Sequence, residues 1–500
     1  MKYSLCCDIG STFTKITAVD CNSTTIIAHA QAFTTIENNV MHGFIHALSD
    51  ISKKLELHAL ADICKKYEAS QNIKKHMLDE IKTELGSIFK HCLAASSAAG
   101  GLKMVSCGLV PDLTAKASRL AAASAGAKVM KTYSYELTCD DIQEISQISP
   151  DIILLSGGID GGNRDVLLRN AASIAAMDGT FCVIIAGNRS AANEAGEIIR
   201  HSSNTKRAII CENVMPEFGK LNIEPAKNAI RELFIQNIIS AKGLDDIQYI
   251  MSSEIIPTPL AVFNAAQLLS EGIDNNDGFE KGLGPLMIYD VGGATTDVYS
   301  MSDGLPKNPH VYVQGLIEPF AKRTVEGDIG MRYSLFPMMD AINRDGKPFF
   351  DMYSLTSSDV AEWLEVCKSN PAALPTDVYS HHKKTEQAFV SEAIRLSAAR
   401  HVGFFERAFT PAGETVIQTG KDLTLVNYVV GTGGALIGAT DPNKALEFAT
   451  YHPRDLNLLK PKNPQFLLDS EYCLSAMGLL AQVLPRIALQ IMKKCIYNEG

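Results

Sequence analysis

Two apolar runs, Tyr3 to Cys7 and Leu286 to Tyr289, each break at an aspartate, turn on glycine and resume as β-rich segments, Ile16 to Val19 and Val298 to Met301. The pattern predicts two β-hairpins, each with an Asp at the end of its first strand. They are one pattern used twice. Asp8-Ile-Gly-Ser-Thr-Phe-Thr-Lys-Ile16 aligns in register with Asp290-Val-Gly-Gly-Ala-Thr-Thr-Asp-Val298, which predicts a duplicated lobe. Between them, the runs Ile152 to Leu155, Phe181 to Ala186 and Arg207 to Cys211 alternate with helical patterns over Arg164 to Met177 and Ser190 to His201. This β-α-β-α-β order predicts a small parallel α/β subdomain inserted in the first lobe. A third glycine-rich segment, Gly431-Thr-Gly-Gly434, follows a β-rich run over Leu423 to Val430 and precedes a helical start.

Composition narrows the class. With 46% hydrophobic and 20% charged residues in 500, the chain is globular, with enough length for several cores. A net charge of -10 and no dense Lys/Arg block argue against nucleic acid as a partner. Lys53-Lys54, Lys65-Lys66 and Lys74-Lys75 read as solvated helix faces. The twelve cysteines lack CxxC spacing, and Cys6-Cys7 sit inside an apolar strand, as reduced thiols of a cytoplasmic protein would. The amino-terminal apolar run is too short for a signal-peptide core, and Met477 to Met492, the best candidate span, contains Pro485 and Arg486, so no membrane partner is expected.

The hairpins exclude a P-loop and a dinucleotide fingerprint, because both pass from glycine directly into a helix whereas here the chain stays β. A glycine turn nevertheless exposes successive backbone N–H groups, and Ser11, Thr12, Thr14, Thr295 and Thr296 add hydroxyls, so the two hairpins are candidates to approach one polyphosphate from both sides. Asp8 and Asp290 then read either as turn-capping carboxylates or, as a matched pair, as holders of a hydrated Mg²⁺. The third segment reads either as backbone laid against a planar ring or phosphate, or as close packing. Asp160, in the loop Ser156 to Asn163, faces a ligand or caps a helix. Glu326 and Asp328 lie in a glycine-punctuated stretch that is a candidate to return to the site, there to assist a metal-bound or attacking water; a plain turn is the alternative. His42/His46 read as a helix-surface pair. His381-His382 read as residues of a polar loop, and neither pair as a metal site.

Together the three segments resemble the phosphate-1, phosphate-2 and adenosine motifs of the actin, Hsp70 and sugar-kinase superfamily. More narrowly, Leu93 to Met104, Leu154 to Asn163 and Arg323 to Met331 resemble the MutL/GlmL proteins of clostridial glutamate fermentation, which are unrelated to the mismatch-repair protein of similar name. The resemblance covers nearly the whole chain. It implies an α/β fold of two actin-like lobes around an ATP cleft, residues 1–285 (with the insertion at about 95–215) and 286–500, the latter ending in a helical tail. It further implies an ATPase that uses ATP and Mg²⁺ to reactivate an adenosylcobalamin-dependent mutase, glutamate mutase or a related aminomutase, and it is compatible with a homo-oligomer. Carried over by position, Asp8, Gly10, Ser11, Thr12, Thr14 and Lys15 face the phosphates, with Lys15 neutralising their charge. Asp290, Gly292, Gly293, Thr295 and Thr296 form the opposite jaw, and Gly431, Gly433 and Gly434 lie near the adenosine. The second hairpin departs from the first at one position, carrying Asp297 where the first carries Lys15. A small-molecule kinase and an ATP-dependent assembly protein are the alternatives of other classes.

Overall fold

Leu5, Cys7 and Ile9 alternate with Ser4, Cys6 and Asp8, and on that alternation strand β1 (Tyr3–Ile9) forms at the centre of a sheet. The computed structural model describes residues 3–10, 12–35, 39–68, 74–97, 103–202, 206–238, 243–275, 278–346, 348–375, 381–411, 413–453 and 455–497. The chain divides into two compact units. The first holds residues up to Gly282 together with Cys473–Lys494, and the second holds Leu283–Tyr472 and the described residues from Cys495.

In the first unit β1 pairs antiparallel with β2 (Phe13–Asp20), which pairs antiparallel with β3 (Thr25–Phe33), while β4 (Phe89–Ser96) runs parallel to β1 on its other side. Next comes a separate parallel sheet of β5 (Lys103–Gly108), β6 (Lys128–Ser134), β7 (Ile152–Leu155), β8 (Phe181–Ile185) and β9 (Lys206–Ile210), in the order β6-β5-β7-β8-β9. Its last three strands follow the apolar runs read from the sequence. β6 carries Lys128 and Lys131 on a partly exposed edge, so it lacks the continuous apolar signal of a buried parallel strand. The chain then returns as β10 (Ile256–Pro257), parallel to β4, and completes the order β10-β4-β1-β2-β3. A small hairpin, β11 (Gly272–Asn275) and β12 (Gly278–Lys281), ends this stretch.

The second unit repeats the first sheet strand for strand. β13 (Leu286–Val291) and β14 (Thr296–Met301) form the central hairpin, followed by a small strand β15 (Val311–Gln314) and by β16 (Ala321–Glu326), which is antiparallel to β14. β17 (Phe404–Thr410) and β18 (Gly413–Thr419) join β15 in a three-stranded sheet. β19 (Tyr428–Thr432) runs parallel to β13 and β20 (Gln465–Leu468) parallel to β19, giving the order β16-β14-β13-β19-β20. Order and direction match β3-β2-β1-β4-β10. Strand β19 begins later than the apolar run from Leu423 suggests, because Leu423 to Asn427 form turns.

One face of β1 and β2, carrying Leu5, Cys7, Ile9, Ile16 and Ala18, packs on helices Val40–Lys54, His58–Glu68, Lys75–Ile88 and Leu244–Ile250. Helix Cys473–Leu480 packs on β1 and on helix Thr258–Glu271. The sequence reading put the carboxyl-terminal helices with the second lobe, whereas most of them lie in the first unit. The physical reason is close helix approach: at Gly478 a β-carbon would stand 1.8 Å from the Ala261 carbonyl oxygen, so only glycine admits the contact. Pro485 opens the final helix, Pro485–Ile496, rather than interrupting one. Among the described residues no helix is long and apolar enough to cross a membrane.

Candidate functional site

Both hairpins close in the same way. Gly10 donates its amide to the Phe13 carbonyl at 3.0 Å, and Gly292 donates to the Thr295 carbonyl at 3.0 Å. In each, the aspartate near the end of the first strand faces its ladder partner across the pair, Asp8 opposite Lys15 and Asp290 opposite Asp297. Directly opposed residues share one face of a sheet. Thr14 and Thr296, one position earlier, therefore fall on the other face, where both are fully buried. The Thr14 hydroxyl pairs with that of Thr34 at 2.9 Å. These two threonines support the hairpins from beneath instead of offering hydroxyls at the turn. Ser11 lies outside the described residues, and the Thr12 carbonyl accepts the Thr34 amide at 2.9 Å.

In the first unit Asp8 gains a partner that its sequence neighbourhood does not contain. The Thr258 hydroxyl donates to Asp8 Oδ1 at 2.6 Å. Strand β10 delivers it: Pro257 is in register with Ser96 of β4, and Ser96 with Ile9 of β1. Thr258 also opens helix Thr258–Glu271, so the positive end of a helix dipole meets this carboxylate. The local signal was a Pro-Thr-Pro step before an apolar helical run, which marks a helix start but not its target.

In the second unit Asp290 and Asp297 are like charges directly opposed, an arrangement that destabilises a ladder unless neutralised. Arg323 on β16 supplies the neutralisation, with Nε and Nη2 reaching Asp297 Oδ1 at 2.8 and 2.5 Å. Burial alone would weaken the Arg323 cation, but the Asp297 carboxylate more than offsets it and holds it above the ordinary value. Thr295 Oγ1 donates to Asp297 Oδ2 at 3.2 Å. Asp297 is thus committed to structure, which leaves Asp290 as the counterpart of Asp8.

The third glycine segment arrives beside Asp290. Thr432 is in register with Asp290, and its hydroxyl donates to the buried Asp469 at 3.0 Å. Gly433 has φ +93, and a β-carbon there would stand 2.5 Å from the Val291 carbonyl oxygen and 2.8 Å from Asp290 Oδ1. Gly431, in contrast, faces the core, where a β-carbon would meet Leu436 at 2.6 Å. Close packing is therefore the reason for Gly431, and close approach to the site carboxylate the reason for Gly433. Tyr472 was not foreseen. Its hydroxyl lies 3.5 Å from where a Gly434 β-carbon would sit, and burial, then Asp469 and Asp290, push its phenol up.

The stretch after β16 does return to the hairpin. The amides of Met331, Arg332 and Tyr333 donate to the Gly292 and Gly293 carbonyls at 3.0, 2.8 and 2.9 Å, and the Ser334 hydroxyl donates to Ala294 at 2.7 Å. The turn's carbonyls are thereby occupied, while the amides of Gly293 and Ala294 donate to no group among the described residues. Successive unengaged amides in a turn form a concavity for an anion. Glu326 and Asp328 are differently employed. Arg400 reaches Glu326 Oε2 at 2.7 Å and the two Asp328 oxygens at 2.6 and 2.9 Å. Burial by itself raises the Asp328 carboxyl, and Arg400 reverses this to leave it below its usual range, which suits an ion pair better than a proton acceptor. Asp160 likewise resolves as a cap, accepting from the Arg189 amide at 2.9 Å and from Asn213 Nδ2 at 3.0 Å.

Each unit therefore presents one carboxylate, Asp8 or Asp290, at the end of an equivalent strand beside a glycine turn. The open amides of Gly293 and Ala294 fit phosphate oxygens, and the carboxylate chemistry of Asp8 and Asp290 fits a hydrated divalent cation.

Comparison with known proteins places these features. A family model described as "MutL protein" matches residues 4–496. A protein called "Protein MutL" from Clostridium tetanomorphum is 40% identical over 495 residues, covering 99% of both chains. Solved structures of a gluconate kinase from Lactobacillus acidophilus and a xylulose kinase from Bifidobacterium adolescentis align over 99% and 98% of this chain and 92% and 93% of theirs. Their identities are only 10% and 8%, with TM-scores of 0.32 and 0.30. The family model and the full-length relative agree from end to end, and the chain belongs to the MutL protein family.

Proposed function

We propose that the chain is a Mg-ATP-binding ATPase that reactivates an adenosylcobalamin-dependent mutase. The observation that carries the nucleotide part is the repeated sheet with its two identically closed hairpins, each with an aspartate one residue before the end of its first strand. The amides of Gly293 and Ala294 bind phosphate oxygens, Lys15 adds positive charge beside Asp8, and Asp8 and Asp290 orient coordinated water. Thr258 fixes the Asp8 carboxylate for that task. Magnesium, when bound, offsets the charge of the polyphosphate. Hydrolysis in this reading needs no covalent intermediate, because fixed donors stabilise the charge on the transferring phosphoryl group. Glu326 and Asp328 hold Arg400 rather than a water, so they act as positioning residues for the stretch that closes over the second hairpin.

The mutase part of the proposal rests on the family resemblance in sequence. Its test is direct: a mutase inactivated during turnover is mixed with this protein, Mg-ATP and fresh adenosylcobalamin. Recovery that requires ATP and fails with Lys15→Ala supports the reading. Recovery without ATP, or undiminished with Lys15→Ala, overturns it. ATP turnover with no added acceptor separates the ATPase from a small-molecule kinase.

A further inference from the structure

His381 and His382 are not in a loop but open helix His381–His401, and both rings turn to one carboxylate of the neighbouring helix Ser357–Ser369. His381 Nε2 lies 3.2 Å from Glu362 Oε2, and His382 Nε2 lies 3.0 Å from Glu362 Oε1. One ligand atom from each of the three residues falls within 4.8 Å of the others. We propose that Glu362, His381 and His382 form a binding site for a divalent transition-metal ion of the zinc class, separate from the glycine hairpins.

The chemistry of the set selects the ion. Two imidazoles and one carboxylate suit Zn²⁺, Ni²⁺ or Cu²⁺ far better than Mg²⁺ or Ca²⁺, which take oxygen ligands. Bonds of about 2.0–2.1 Å in a tetrahedral shell put neighbouring ligand atoms about 3.4 Å apart; the two imidazole–carboxylate distances are 3.2 and 3.0 Å, and small side-chain rotations bring the whole set, now within 4.8 Å, onto one ion. Three protein ligands leave a fourth position for water. The side chains are 55%, 42% and 24% exposed for Glu362, His381 and His382, so an ion enters from solvent without opening the fold. Asp359, one helical turn before Glu362, is held below its usual carboxyl range chiefly by Thr356 hydrogen bonds, with the His381 ring contributing, and adds a negative charge near the site.

The site carries its own reporter. The chain has one tryptophan, Trp363, whose ring centre lies 4.8 Å from that of His382. Trp363 Nε1 donates to Glu386 at 2.8 Å, Arg332 reaches the other Glu386 oxygen at 2.8 Å, and the Arg332 amide donates to the Gly293 carbonyl. An ion joining Glu362 to His381 and His382 thus ties together two helices that also support the second hairpin.

The test uses the full chain without nucleotide. Equilibrium dialysis against Zn²⁺ is expected to show one more bound equivalent for the native protein than for the His381→Ala/His382→Ala double variant; cysteine-bound zinc is common to both. Ni²⁺ is expected to quench Trp363 emission to saturation, with excess Zn²⁺ reversing it. Glu362→Gln, a near-isosteric change on an exposed side chain, is expected to weaken binding by about tenfold or more. Equal zinc stoichiometry in native protein and double variant, or Zn²⁺ affinity unchanged in Glu362→Gln, overturns the proposal.

Discussion

Gly433 lies so close to Asp290 that a β-carbon in its place would stand 2.8 Å from the carboxylate oxygen. The glycine is required twice over, by this approach and by its φ of +93. Gly433→Ala is expected to cost about 1–3 kcal/mol of stability from backbone strain alone, with further loss from overlap with Val291 and Asp290. It should also abolish ATP binding measured by calorimetry. Gly434→Ala is the control, since its β-carbon meets only the Tyr472 hydroxyl at an ordinary 3.5 Å. Equal effects of the two substitutions would show that proximity to Asp290 is irrelevant.

Mg-ATP is expected to stabilise the native protein, because the phosphate-binding amides are arranged only after folding. At a concentration ~100 times the dissociation constant the gain is about 2.7 kcal/mol. A thermal melt unmoved by millimolar Mg-ATP speaks against the nucleotide reading as a whole.

Asp8→Ala and Asp290→Ala should each leave the fold intact and remove most ATP turnover. If the two carboxylates serve the same step, the double variant is little worse than either single, as for groups that act as a unit. Losses that multiply would mean separate tasks. Thr258→Val removes the 2.6 Å bond to Asp8 and should lower kcat more than it raises KM.

Lys421 offers a prediction in pH. Its amine is buried, donates to the Pro319 and Phe320 carbonyls at 3.0 and 2.7 Å, and is pushed down to about 7, first by burial and then by Lys322, against the opposing pull of Glu318 and Asp303. Between about pH 7 and the ordinary lysine value near 10.5, the unfolded chain binds a proton that the folded chain does not. Stability relative to Lys421→Met should therefore rise with pH across that window, at up to about 1.4 kcal/mol per pH unit. Below it the difference should be flat. Urea unfolding at pH 7, 8 and 9 measures the slope, and a difference that falls with rising pH contradicts the assignment.

What the sequence disclosed was local or repeated. The hairpins were legible because their Asp-to-Gly spacing occurs twice, strands β7 and β8 because full burial makes them continuous apolar runs, and the edge strand β9 through Ala208 to Ile210 alone. Thr258 was not legible beside Asp8, since it comes from 250 residues away and only the β10-β4-β1 register brings them together. Tyr472, whose phenol feels the charge of Asp290, likewise comes from distant sequence, after a fifth strand. His381 and His382 read as loop residues because the run His381 to Gln387 is wholly polar and shows no apolar face, and their partner, Glu362, sits on another helix. Asp160 and the Glu326/Asp328 pair had the right residue type for a site, but their charges are consumed by a helix end and by Arg400, which no one-dimensional pattern records.

The return of Cys473–Leu480 to helix Thr258–Glu271 has a consequence for how the protein is made. When a ribosome has finished Gly282, the surface of that helix around Ala261 still lacks its cover, and it stays open to water until all of Leu283–Tyr472 has been synthesised. The bulk of the second unit, Leu283–Tyr472, is synthesised before Cys473–Lys494 returns to the first unit. Nascent chains halted between Gly282 and Tyr472 therefore display an apolar helix face that the full-length protein hides, a temporary landing place for holding chaperones during synthesis.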